Sequence, residues 1–100
     1  MTKQEYWTRF NALQKQFEDN KRELARTCAY SNNPYKVGDI IKDDKGSIIQ
    51  IERIMYSYGY GDDIPFCVYE GKSLKKDLTP RKVKPLREKL FQSRVIAKLN

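Results

Sequence analysis

The sequence predicts an α+β protein: a long N-terminal amphipathic helix over residues 1–29, a small, strongly bent antiparallel β-barrel over residues 35–84, and a short C-terminal helix or tail over residues 85–100. Three observations predict it. Apolar residues recur at helical spacing from Tyr6 to Cys28, and no Gly or Pro interrupts before Pro34. Two β-branched runs, Val37 to Ile41 and Ser47 to Ile54, flank the polar turn Asp43-Asp44-Lys45-Gly46. In the second run Ile49 and Ile51 share one strand face while Ile54 and Tyr56 share the other, so the apolar parity switches near Glu52-Arg53.

Thr2-Lys3-Gln4-Glu5 fits a capping box that opens the helix. Its apolar stripe is Tyr6, Phe10, Leu13, Phe17, Leu24 and Cys28, with Trp7 and Ala25 beside it. At 1.5 Å per residue the helix spans roughly 40 Å, longer than a barrel of some 60 residues can cover, so part of it protrudes or meets a partner. The 4-3-4 spacing of positions 6, 10, 13 and 17 resembles a heptad seam, interrupted by Asn20. Two readings stand together: a helix lying across its own domain, or a helix that dimerises or binds a partner through Tyr6, Trp7, Phe10 and Phe17. The aromatic half is expected to pack against something, and the charged half, Glu18 to Arg26, to be solvated. Asn32, Asn33 and Pro34 end the helix.

Gly46 supplies the positive φ that closes the hairpin. A β-bulge near Glu52-Arg53 would return Ile49, Ile51, Ile54 and Tyr56 to one core and bend the strand sharply, as a small barrel requires. Pro65 to Glu70 reads as a third strand, with Gly71-Lys72 as a turn into a weaker strand, Ser73 to Leu78. Thr79 to Pro85 is basic and extended, and its prolines place it at an edge. The spacing of Leu86, Leu90, Phe91 and Val95 predicts a short C-terminal helix, although Val95-Ile96 equally suits a final strand.

The run Val37-Gly38-Asp39-Ile40-Ile41, then Gly46, then Ile49, Ile51 and Ile54, resembles the opening hairpin of SH3-like barrels of the KOW and Tudor kind, and is similar to that of many small bacterial and phage proteins. The resemblance covers about 20 residues. It implies the fold, and as partners it implies RNA or ribosomes (KOW), methylated side chains (Tudor) or proline-rich peptides (SH3).

The 100 residues suit one domain with a small core. No apolar run is long enough for a membrane span and residues 2–5 are too polar for a signal peptide, so a cytoplasmic protein with no membrane partner is expected. The chain has no histidine, and its two cysteines, Cys28 and Cys67, are far apart and read as buried thiols. Neither a nucleophile beside a base nor a Walker loop can be assembled, which excludes an enzyme reading; no cofactor is implied. Asp62-Asp63 lacks a third ligand and reads as a turn, so no metal site is expected.

The net charge of +7 lies entirely in the last third: residues 70–100 carry ten Lys or Arg against Glu70, Asp77 and Glu88, while residues 1–69 balance. Tyr56, Tyr58 and Tyr60 would project to one side of an extended chain. Together these suggest a non-catalytic binding module for RNA or single-stranded DNA, with Lys72, Lys75, Lys76, Arg81, Lys82, Lys84 and Arg87 on phosphates and Tyr58 and Tyr60 stacking on bases. The alternative is a protein-interaction or adaptor module that uses the aromatic helix, as a homodimer or with another protein, or an exposed barrel edge.

Overall fold

The computed structural model describes residues 1–59 and 64–100. Helix α1 runs Lys3–Ser31, and the strands are β1 (Ile40–Asp43), β2 (Ile48–Ser57), β3 (Phe66–Leu74), β4 (Arg87–Phe91) and β5 (Val95–Lys98). All pairings are antiparallel, in the order β4-β3-β2-β1-β5. The fold is therefore α+β. The edges of the sheet are β4 and β5, and no ladder joins them among the described residues, so the sheet is open.

The hairpin forms as its residues dictate. Asp43 Oδ1 accepts from the amides of Lys45 (3.0 Å) and Ser47 (2.8 Å), and Gly46 sits at φ +91°. This local hydrogen bonding fixes the β1–β2 register, Ile41 opposite Ile49. The bulge falls where the parity switches: β2 shifts register against β3 between Ile51 and Arg53, so Ile54 and Tyr56 return to the face of Ile49 and Ile51. Ile41, Ile49, Ile51, Cys67, Tyr69 and Leu90 form the core with Ala29, and Tyr35, Ile54, Tyr56 and Val95 pack around it. Each large apolar side chain buried here stabilises by about 1.5–3 kcal/mol.

Three expectations are corrected. Gly71-Lys72 is not a turn but the middle of β3, with Gly71 opposite Ile51 beside the bulge; a Cβ there would run into the Gln50 carbonyl. The glycine is thus needed for close strand approach, a demand that sequence alone does not distinguish from a turn. Next, residues 75–86 form a tight turn and bends, touching the sheet through a bridge of Leu74 to Pro80. Lastly, the C-terminal helix is absent: residues 87–98 make β4, a single 3-10 turn at Gln92–Arg94, and β5. Leu86 and Phe91 of the expected stripe stay exposed, whereas β5 satisfies the open hydrogen bonds of β1, pairing Ile41 with Lys98. Tertiary pairing outweighs helical spacing here.

The helix does not lie across the domain. Only its last two turns dock, and of its residues only Ala25 and Ala29 are buried. Their small side chains let the helix backbone approach the sheet closely enough for the Cys67 thiol to donate to the Ala29 carbonyl at 3.4 Å. The molecule is accordingly elongated, 68 Å in one dimension against 26 and 22 Å in the others. Cys67 is buried as expected, but Cys28 is only half-buried.

Gly71→Ala, which forces backbone against backbone, should lower the unfolding free energy by about 3 kcal/mol or more. Gly46→Ala, with open space around it, should cost about 1 kcal/mol for its positive φ alone. Urea denaturation of the two variants checks the contrast; equal losses would refute the close-approach role of Gly71.

Candidate functional site

Residues predicted for function fall on three separate regions. The first is the projecting part of α1. Thr2 caps it, its hydroxyl accepting from the Glu5 amide at 3.1 Å. Beyond that point Tyr6, Trp7, Phe10, Leu13 and Phe17 remain exposed, by 38% at Phe10 and up to 66% at Phe17. Three of them touch one another: Trp7 packs edge-on against Tyr6 (5.2 Å between centroids) and Phe10 (5.4 Å). The structure thus brings all four predicted partner-binding aromatics onto one arm, and nothing among the described residues covers them.

The second region is the junction of α1 with the far end of β2. Tyr58, 44% exposed, packs edge-on against Tyr56 and lies under the Lys21 ammonium, 5.9 Å from the ring centroid. Lys21, Leu24, Ala25, Cys28, Tyr58 and Pro65 line a predominantly apolar concavity of about 340 Å³. The sequence places Leu24 in the apolar stripe and Pro65 at the start of a strand, but assigns neither to a site. Leu24 stands within the charged half of the helix and continues the stripe of Phe10 and Phe17 at seven-residue spacing. Tyr60 and Asp62-Asp63 lie outside the described residues.

The third region is the basic turn. Lys72 sits on β3 opposite Gln50 and Arg87, and Lys75 and Lys76 enter the turn that follows. That turn is held by Thr79, whose hydroxyl donates to Asp77 Oδ1 at 2.6 Å and whose amide donates at 3.1 Å. These bonds, aided by the charge of Lys75, hold the Asp77 carboxyl below its ordinary value. Lys72, Lys75, Lys76, Lys82 and Lys84 are exposed and make no salt bridge among the described residues. Arg87 differs: it pairs with Glu52 at 3.0 Å and Glu70 at 3.4 Å, so its charge is largely spent within the sheet. Arg81 is half-buried and donates to the Lys84 carbonyl at 3.4 Å.

Basic turn and tyrosines are not brought together. Tyr58 follows Ser57, which pairs with Phe66, whereas Lys72 lies six residues further along β3. That is about 20 Å along the strand, at the opposite end of the β2–β3 hairpin. A base stacked on Tyr58 and a phosphate on Lys75 would belong to different nucleotides of an extended strand.

Among the described residues no group of three or more His, Cys, Asp or Glu could hold a metal ion, and no helix is long and apolar enough to cross a membrane. These features define an α+β protein with an unpartnered aromatic helix and an open antiparallel sheet. Compared with protein-family models, with curated proteins and with solved structures, the chain matches none.

The junction also fixes how stability responds to alkali. Tyr69, fully buried, donates its hydroxyl to Asn33 Oδ1 at 2.6 Å, and burial, reinforced by Cys67 and Tyr35, holds its phenol well above the ordinary 10.0. Burial likewise raises the Cys67 thiol above 9.0. Well below pH 9 both groups are protonated whether the chain is folded or not. Above it, the unfolded chain sheds protons that the folded chain retains, so stability falls as pH rises. Tyr69→Phe should cost about 1 kcal/mol at pH 7 for the lost hydrogen bond, yet should flatten the decline above pH 10. Denaturation midpoints from pH 7 to 11 check this, and an unchanged slope would refute it.

Proposed function

We propose that the chain is a non-catalytic protein-interaction module whose working element is the projecting half of α1. The observation that carries this reading is the exposure of Tyr6, Trp7, Phe10, Leu13 and Phe17 on a helix that its own sheet leaves uncovered. Helices draw most of their stability from packing of the apolar face, and a contiguous aromatic patch in water favours association. An amphipathic helix offering anchors at 6, 10, 13 and 17 suits a second helix, or a groove that takes one. The accompanying fold reading is an SH3-like bent sheet of the KOW and Tudor kind, supported by the bulge in β2 and the return of β5 to the edge of β1. In this arrangement the sheet anchors the helix and the helix makes the contact.

Chemical cross-linking of the full chain in a cell extract, read by mass spectrometry, tests the proposal. Cross-links to a protein, itself or another, should concentrate at Lys3 and Lys15 and should fall at least tenfold in Phe10→Glu/Phe17→Glu, whose sheet still folds. Cross-links confined to the sheet, or unchanged by the double variant, would sink it.

A second reading rests on a different observation: Lys72, Lys75, Lys76, Lys82 and Lys84 are exposed and make no ion pair among the described residues. They suit the phosphates of RNA or single-stranded DNA, with Tyr58 too distant to stack on the same nucleotides. Binding should then weaken steeply between 50 and 200 mM salt, by roughly ten- to a hundredfold for a few phosphate contacts. Lys75→Glu/Lys82→Glu should abolish a gel shift at low salt. A shift that survives the double variant excludes the basic turn as its source.

A further inference from the structure

Resting on the helix reading above, we infer that the partner of α1 is a second copy of this chain, paired antiparallel, with Trp7 of each copy seated in the apolar junction concavity of the other. At 100° per residue, Tyr6, Phe10, Leu13, Phe17 and Leu24 point about 110° away from Ala25 and Ala29, the residues that dock on the sheet. A second helix laid along the first face therefore clears the sheet of the same molecule. Leu24, 73% exposed, carries that face almost to the junction.

An antiparallel register in which paired positions sum to 30 fits the sequence at every layer. Tyr6 then meets Leu24 of the other copy, Phe10 meets Asn20, and Leu13 meets Phe17 around the two-fold axis. Small polar Asn20 makes room for a phenyl ring, and the six layers span about 27 Å. Flanking positions agree: Arg9 falls beside Glu23 of the other copy, giving two opposite-charge pairs, and Gln16 falls beside Gln16. On the other flank Trp7 arrives between Lys21 and Cys28 of the second copy. Those residues, with Leu24, Ala25, Tyr58 and Pro65, line the apolar concavity.

A bulky exposed indole and an apolar hollow of matching side and level are thus paired by a register chosen on other grounds. Each helix also stops where the other molecule's sheet begins, so the two sheets sit at opposite ends. Parallel pairing would leave both hollows empty and set no Arg9 beside a Glu23.

The chain has one tryptophan, which makes the test direct. Within one molecule Trp7 lies 17 residues, about 26 Å of helix, from Leu24, so a change at the junction alters its emission only through a second copy. Sedimentation equilibrium of the full chain should give twice the monomer mass, with Trp7 emission shifting to the red on dilution. Leu24→Glu and Tyr58→Ala should each weaken association, roughly a hundredfold for Leu24→Glu, and should red-shift Trp7 while helical circular dichroism remains. Arg9→Glu should weaken it roughly tenfold and Arg9→Glu/Glu23→Arg should restore it. Spin labels at Gln4→Cys in a Cys28→Ser background should report about 33 Å between copies. A monomer at 100 μM overturns the self-pairing but leaves a different helical partner open to the cross-linking test. A dimer with labels under 20 Å apart, or without charge-swap rescue, overturns the antiparallel register.

Discussion

The end of α1 is held to the sheet by a cluster of directional bonds, and the direction of the whole helix follows from them. Asn33 is its hub: the side chain donates to the Tyr35 carbonyl at 2.8 Å and accepts from the Tyr35 amide and the Tyr69 hydroxyl. Gln92 adds a second clamp, donating to the Asn32 carbonyl at 2.8 Å while accepting from the Cys67 amide at 3.0 Å. Because Ala25 and Ala29 are the only helical residues buried, a handful of contacts orients some 30 Å of free helix. The clamp binds residues from the helix end, β3 and the 3-10 turn after β4, so the three parts of the fold are tied at one place.

The sheet provides the other side of that place through its bend. The bulge at Glu52 lets one long strand present Ile49 and Ile51, then Ile54 and Tyr56, to the same core. Without it, the second half of β2 would turn Ile54 and Tyr56 to the outer face. Tyr30 packs edge-on against Tyr56 at 6.2 Å, and so the helix end is packed against the half of β2 that the bulge redirects. Gly71 is the counterpart on β3, where the extra residue brings two backbones too close for a side chain.

The hairpin, the bulge and the helix were legible because each rests on local chemistry: Asp43 and Gly46 in the turn, the parity switch at Glu52-Arg53, and uninterrupted apolar spacing from Tyr6. What was illegible depended on partners distant in sequence. Gly71 looks like a turn residue until Gln50 is placed against it. Residues 85–100 keep a helical spacing, but β1 offers an open edge and Leu90 a place in the core. The candidate site divides in the same way. Aromatic character on α1 was plain, whereas its lack of cover required knowing that only Ala25 and Ala29 dock. The separation of Tyr58 from Lys75 required the β2–β3 register, since adjacency in composition carries no information about which end of a hairpin a residue occupies.

Two faces of one helix therefore have different surroundings. The face of Ala25 and Ala29 is narrow, small-residued and confined to the last two turns, which suits close packing on a sheet. The face of Tyr6 to Leu24 is broad and aromatic, and runs most of the length of the helix. Since the two are about 110° apart and share no residue, substitutions on the second leave the contacts of the first intact. Stability of the folded head is for that reason separable from the contact proposed for the arm. A helix lying flat on its sheet would bury one face in its own core and could not offer it to anything else; here small residues near the C-terminal end fix the helix, and the aromatic length stays available.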